Sequence, residues 1–555
     1  MDGDASAGPA KTVFSRTTQV EADEVHERDT GVLVLSPGVT LTLGKDSLLI
    51  PGIGGRNITL TKNAGQLVTK PSRSCLCGNN TPSSIPYYNI LWADIADDRR
   101  WLVVDYAHED TTHHLVARKV KFAIPEEAAG SGDQVSAWIE RLLDHSYGSS
   151  ARRKRAWVLV NPHAGPGGAD KIWEKQVKPI FEAARMPLTV VRTTYSGEGV
   201  DLAQVLDIDN FDIAIPCSGD GLPHEVFNGL AKRPDARRAL SKIAVCHIPC
   251  GSGNAMSCNL YGTHRPTLAA LAIIKGITTP LDLVSITQGD QRYVSFLSQA
   301  LGVIAHVDLG TEHLRWMGAA RFTVGFLTLV LQKKTYPCDI AVKVEIEHKQ
   351  GVKNHYRKQV AGSESEASDE NSKLCNGTDS DACPVFPPAS QADDDAPSLG
   401  MPPLKYGTVT EKLPEGWELV SHENLGSFYC GNMAYMAPDA NFFSAALAND
   451  GLMDLITTDG DVSPLKSVGL QLSVESGEFF DNPLVSYRKV SAYRVIPRNQ
   501  EKGCYLSIDG ESKPLEPFQA EVHKGLGLVI SKRGIFEAPG PLNWDKVTTS
   551  ERLLA

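Results

Sequence analysis

At 555 residues, with 42% hydrophobic and 22% charged side chains, the chain is longer than one hydrophobic core usually organises and reads as globular protein in two or three folded units. A formal net charge of -11 argues against a broad electrostatic footprint for nucleic acid. The 11 cysteines include no C-x-x-C pair and no companion histidine cluster, so neither a zinc site nor a complete disulfide framework is indicated, and a reducing compartment fits best.

Residues 1–30 are polar and acidic, lack the layout of a secretory signal, and read as a disordered leader. From 31 to 122 short alternating runs (VLVLS, VTLTLG, NITLT, YNILWADI, WLVVDYA, HHLVARKVKFAI) are separated by Gly, Pro, Asn and Asp, which predicts a small all-β unit. Val135, Trp138, Ile139, Leu142 and Leu143 follow at helical spacing and give a single apolar stripe able to cover an open barrel end. Strands closed by one helix, over 31–148, resemble a pleckstrin-homology-type module. The cations Arg152, Arg153, Lys154 and Arg155 then read as a solvated linker.

Over 151–277 apolar strands alternate with amphipathic helices, the pattern of an α/β doubly wound domain, and over 278–349 and 421–545 strand-like runs predict a mostly-β second domain. Between them, 350–420 is expected to be a disordered insert, because its stretch 361–400 holds nine Asp or Glu against one Lys. The longest apolar run, Phe322 to Leu331, is about half the ~20 residues a spanning helix needs, so no bilayer crossing is expected.

Three strand-to-turn units in the α/β region face phosphate chemistry. AWVLV runs into Asn161, Pro162, His163, Ala164 and Gly165, and such a glycine turn at a helix start offers unpaired N–H groups to an anion. It lacks the G-x-x-x-x-G-K-[ST] pattern, and with it that motif's lysine and magnesium-binding hydroxyl. The strand ending at Cys217 leads into Ser218, Gly219, Asp220 and Gly221, which puts a carboxylate at the carboxyl edge of a parallel sheet; Glu225 follows in the first helical turn, where the dipole alone also favours it. The third unit ends in Pro249, Cys250, Gly251, Ser252, Gly253 and Asn254.

The words NPHAGPGG, SGDGLPHEVFNGL and PCGSGNAM resemble, in order and spacing, the diacylglycerol-kinase catalytic superfamily, and within it the sphingosine (long-chain base) kinases. That resemblance implies ATP, with Mg²⁺, held between an α/β domain and a β-sandwich domain. It implies Asp220 as general base within a substrate-facing Ser218–Gly221 turn, and Asn161, Pro162, His163, Thr193, Glu225, Gly251, Ser252 and Gly253 around the nucleotide. One departure is a glutamate, Glu198, where the family usually carries histidine, which leaves open whether Thr193 or Thr194 meets ATP. Asp308, Glu312 and Arg315, at i, i+4 and i+7, would share one helix face, with Arg321 beyond it. In the family the matching aspartate meets the lipid head group and the two arginines meet ATP phosphates; Ser298 matches a further head-group contact. Asp509, Gly510 and Glu511 resemble a family word that returns to the nucleotide, although D-G-E is equally a hairpin turn.

Phe442, Phe443, Phe479 and Phe480 could line an acyl-chain pocket or simply belong to the core. The implied activity is phosphorylation of a sphingoid base, with diacylglycerol or ceramide kinase and a non-catalytic lipid-binding scaffold as the rivals. Implied partners are the sphingoid base and, peripherally, a membrane reached from the cytoplasm, where Cys75 and Cys77 are candidate acylation sites. A homodimer stays open.

Overall fold

The computed structural model describes residues 31–36, 39–50, 58–61, 82–110, 114–124, 132–165, 168–310, 334–373, 400–498 and 505–542. Glu312, Arg315, Arg321, Cys75, Cys77 and the Phe322–Leu331 run lie outside them. Among the described residues no helix is long and apolar enough to cross a membrane.

The amino-terminal unit holds two four-stranded antiparallel sheets, one of Val32–Ser36, Val39–Leu43, Ser47–Leu49 and Ser84–Pro86, the other of Ile58–Thr61, Leu115–Ala123, Trp101–Glu109 and Ile90–Ile95. The helix Gly132–Tyr147 lays its predicted stripe against them: Trp138, Leu142 and Leu143 are buried, and the Trp138 indole donates to the Gly31 carbonyl at 3.2 Å. The basic stretch after it is not a solvated linker. Lys154 is buried, donating to Ser150 Oγ at 2.9 Å and the Ile274 carbonyl at 2.8 Å, while Arg155 is forked onto Asp212 and Arg152 pairs with Glu140 and Asp144. Charge composition suggested exposure there, whereas backbone carbonyls and nearby carboxylates consume the cations. Lys275 strengthens the same junction, donating to the Ser146 carbonyl at 3.0 Å with its ammonium 3.6 Å from the centre of the Tyr147 ring.

The α/β unit is built on parallel strands in the order Leu188–Arg192, Ala156–Val160, Ile213–Ser218, with Ala244–Val245 and Ile248–Pro249 both pairing the last. Ala156–Val160 is buried at every position, as a parallel strand covered on both faces must be. The sheet does not stop at the domain boundary. Ala244–Val245 pairs in parallel with the far end of the long strand Phe518–Ser531, whose other partners, Ile277–Gln288 and Ser486–Pro497, are antiparallel. From there the order continues through Met453–Asp459, Leu425–Gly431 and Ser298–Gly302 to the hairpin Leu506–Ile508 and Glu511–Lys513, so one sixteen-stranded sheet spans both halves.

Two sequence expectations change. The run LGVIAHV was expected as strand, but the strand ends at Gly302, whose φ of +94° breaks it, and Val303–Gly310 is helical; an apolar run alone does not distinguish the two. The insert is narrower than 350–420. A helix runs Lys349–Lys373, anchored by buried Val352 and Tyr356 one turn apart, and beyond 400 Trp417 packs with Ala341 and Ala492. The Lys405 and Tyr406 amides donate to Glu521, each at 2.9 Å. Acidity in 361–400 masked these apolar anchors on either side of it.

Candidate active site

The three glycine turns meet at the carboxyl edge of the parallel strands. Asn161 N–H donates to the Cys217 carbonyl at 3.2 Å, and Asn161 Oδ1 accepts from His163 N–H at 3.0 Å, so the first turn is pinned to the second strand. Gly165 has φ +58°, and a Cβ there would stand 2.3 Å from the Cys250 carbonyl oxygen; a Cβ on Gly251 would stand 2.5 Å from Gly219 Cα. Backbone packs on backbone where any side chain would intrude. Asn254, with φ +56°, clamps Gly251 at two points, accepting its N–H at 2.9 Å and donating to its carbonyl at 2.8 Å. The result is a cradle walled by main chain, suited to the close approach of phosphates.

Asp220 lies in the floor of this cradle. Its carboxylate accepts from the Ala255 N–H at 2.9 Å and the Met256 N–H at 3.0 Å, the first amides of helix Ala255–Tyr261, and its side chain is 14% exposed. Glu225 accepts from the Gly197 N–H at 3.0 Å and the Gly199 N–H at 2.8 Å, so it holds the loop after Thr193 rather than presenting a bare carboxylate. Burial pushes the Glu225 carboxyl up, against those two amides, and Glu511 adds to the rise. Thr194 donates its hydroxyl to Glu198 at 2.9 Å, whereas Thr193 is buried at the end of its strand. The glutamate that replaces the family's histidine thus occupies Thr194, which leaves Thr193 as the candidate.

Asp509 requires a correction. It was expected beside the nucleotide, but its carboxylate is buried and accepts from His224 Nδ1 at 2.7 Å, from the amides of Phe296, Leu297 and Ser298 at 3.1, 3.0 and 2.9 Å, and from the Ser295 hydroxyl. With five donors it has no capacity left for a ligand. Asp509 and Gly510, at φ +54° and +83°, form the two-residue turn of the hairpin, and the D-G-E word serves as that turn. Its other members do face neighbouring loops. Glu511 Oε1 lies 2.7 Å from where a Gly221 Cβ would be, and Asp308 Oδ2 3.8 Å from the equivalent point on Gly510.

Asp308, on helix Val303–Gly310, accepts the Ser507 hydroxyl at 3.0 Å. Ser298 is buried beside it on the next strand, bonded to Tyr429, whose phenol is pushed up by burial. Beyond Tyr429 opens a cavity lined by Ile304, Phe442, Ile456, Leu470 and Phe479. Phe442 stacks edge-on between Tyr429 and Phe479, while Phe443 and Phe480 are core. Sequence reasoning left His224, His247 and Asn254 unassigned. Asn254 was legible in principle, since an asparagine opening a helix after two glycines is a residue type that tolerates left-handed backbone.

Residues 155–286 match the family model for the diacylglycerol kinase catalytic domain, and residues 31–148 match a domain of unknown function, DUF7493. Over 82% of this chain and 70% of the relative, the sequence is 35% identical to sphingoid long chain base kinase 5 of Saccharomyces cerevisiae. It is 33% identical to sphingoid long chain base kinase 4 of Schizosaccharomyces pombe, over 84% of this chain and 92% of that protein. Human sphingosine kinase 1 is 28% identical over 69% of this chain and 92% of its own length. The chain belongs to the sphingoid long-chain base kinases.

Proposed function

We propose that this enzyme transfers the γ-phosphoryl group of ATP to the primary hydroxyl of a sphingoid base, with Asp220 as general base and Asp308 as the group that selects the amine. The observation that carries this reading is the pairing of a main-chain cradle around Asp220 with a carboxylate, Asp308, beside an apolar cavity. The glycines Gly165, Gly219 and Gly251 leave room for phosphate against backbone, and among the described residues no group of three or more His, Cys, Asp or Glu could hold a metal by itself. Mg²⁺ is therefore read as arriving with the nucleotide, where it would neutralise charge on the transferring phosphoryl oxygens.

Asp220, fixed by two amides, orients its carboxylate toward the hydroxyl and takes the proton as the new O–P bond forms. Asp308 orients the ammonium of the base. A cation at 4 Å in an effective dielectric near 20 gains ~4 kcal/mol before desolvation reduces it, a term that a neutral head group lacks. The aromatic cavity past Tyr429 would take the alkyl chain. Arg315 and Arg321 are kept as phosphate ligands on the family resemblance.

The helix Pro464–Glu475 turns Leu470 inward to that cavity and leaves Leu465 and Leu472 outward, 88% and 57% exposed. This supports peripheral membrane association from the cytoplasmic side. The strand-then-helix order of 31–148 supports a pleckstrin-homology-like reading of that unit. The test is transfer of labelled phosphate from Mg·ATP to dispersed sphingosine, ceramide and diacylglycerol by wild type, Asp220→Asn and Asp308→Asn. Transfer confined to the free base, lowered ~10²-fold or more in Asp220→Asn and selectively impaired in Asp308→Asn, is expected. Equal use of the neutral lipids would remove the head-group role.

A further inference from the structure

Behind Asp220, away from the cradle, lies a histidine that no motif singles out. His247 is completely buried between the strands Ala244–Val245 and Ile248–Pro249. Its Nε2 is 3.0 Å from the Ser218 carbonyl oxygen, which can only accept, so in the neutral ring the proton sits on Nε2 and Nδ1 carries the lone pair. Nδ1 has no hydrogen-bond partner and stands 3.8 Å from Asp220 Oδ1. A buried acceptor without a donor is unfavourable, and here the charged atom it faces is itself an acceptor. The mismatch disappears when a proton is placed between them.

We propose that His247 is a positioning residue for phosphoryl transfer: its bare Nδ1 accepts a hydrogen bond from Asp220 once that carboxylate has taken the proton of the lipid hydroxyl. The inference rests on the reading of Asp220 as general base. The lipid O–H bond breaks, its proton goes to Asp220, and the electron pair left on oxygen forms the bond to the γ-phosphorus. The bond from that phosphorus to the β–γ bridging oxygen breaks with its pair leaving on ADP, and the proton held by Asp220 and shared with Nδ1 returns to solvent as product leaves.

Opposed effects set the basicity of Asp220. The amides of Ala255 and Met256 favour its anion, and the lone pair of His247 favours its protonated form. Burial holds the imidazole's own proton affinity down, against Asp220, so the ring stays the acceptor. The other titratable groups packed around the pair are neutral near pH 7: burial pushes the Cys246 and Cys258 thiols up to about 12 and raises the Tyr261 phenol, whose oxygen accepts the His247 N–H. Asp439 lies beyond Cys258.

The experiment compares full-length wild type, His247→Leu and His247→Gln in sphingosine phosphorylation from pH 5 to 9, with the ATP KM and the melting temperature of each. Leucine removes the acceptor. Its kcat should fall about tenfold with ATP KM unchanged, and the acidic limb of kcat/KM should move to lower pH by about half a unit or more, because Asp220 becomes a weaker base. Glutamine can donate to Ser218 and accept weakly from Asp220, so its limb should lie between the two. If the leucine variant does not fold, the glutamine limb alone decides. A limb coincident with wild type in a folded variant overturns the proposal, even where the melting temperature drops. Wild type inactive on sphingosine at every pH would instead overturn the base assignment, and this inference with it.

Discussion

Replacing Asp509 by asparagine separates a buttress from a nucleotide ligand. The carboxylate accepts five hydrogen bonds, three of them from consecutive amides, Phe296 to Ser298, and its side chain is 0% exposed. One amide oxygen retains two of these bonds at most, and the –NH₂ turns a donor toward the remaining donors. Hydrogen bonds to a buried charge contribute about 1.5–3 kcal/mol each, and breaking one side of a buried charged network typically costs ~3–5 kcal/mol. That is a large share of the ~5–15 kcal/mol by which domains are stable. Urea unfolding should therefore show a midpoint well below wild type, with ATP KM on the protein that remains folded changed less than about threefold. A variant as stable as wild type whose ATP KM rises tenfold would refute the buttress and restore Asp509 to the nucleotide site.

Gly251→Ala places a Cβ 2.5 Å from Gly219 Cα, a clash between main chains that no side-chain rotation relieves; a loss of ~1–3 kcal/mol and a markedly raised ATP KM in initial-rate assays are expected, and an unaltered KM would count against the cradle. Glu225→Gln loosens the loop held through Gly197 and Gly199, so ATP KM should rise several-fold with kcat nearly constant, whereas a selective fall in kcat would move Glu225 into the chemistry. Burial lowers the Lys154 ammonium to about 8, while the unfolded chain keeps that proton until about pH 10.4. Between those values the unfolded state binds more protons, so wild type should gain up to ~3 kcal/mol relative to Lys154→Met as pH rises from 8 toward 10, with the full penalty present below 8. Urea midpoints of the two proteins at pH 7.5 and 9.5 would show it, and a difference independent of pH would refute it.

What the sequence disclosed followed from local rules. Ala156–Val160 and Ile213–Ser218 are apolar on both faces and end in glycine turns, so a parallel sheet with a site at its carboxyl edge could be read directly. Asp220 could be placed for the same reason. Partners set by the long strand Phe518–Ser531 could not, because pairing with Ala244–Val245 joins segments remote in the chain and leaves no periodic trace. Asp509 was misread because a turn residue and a ligand carry the same letters; only the convergence of Ser295, three amides and His224 tells them apart. His247 was invisible, since nothing in AVCHIPC shows which way the ring faces.

The hairpin Leu506–Lys513 bears on why a lipid kinase needs two halves held so rigidly. A nucleotide arriving from water and an alkyl amine arriving from a membrane are bound by different elements, the α/β cradle and the cavity past Tyr429. Transfer requires their oxygen and phosphorus in line, and a misplacement near 1 Å can cost ~10²-fold in rate. One turn of the hairpin reaches both sides: Gly510 lies against Asp308, Glu511 against Gly221, and between them Asp509 is fixed to His224 of the helix that Asp220 opens. The distance between head-group carboxylate and general base is thus carried by a buried carboxylate with its donors satisfied. Residues that touch neither substrate can on this account control the rate.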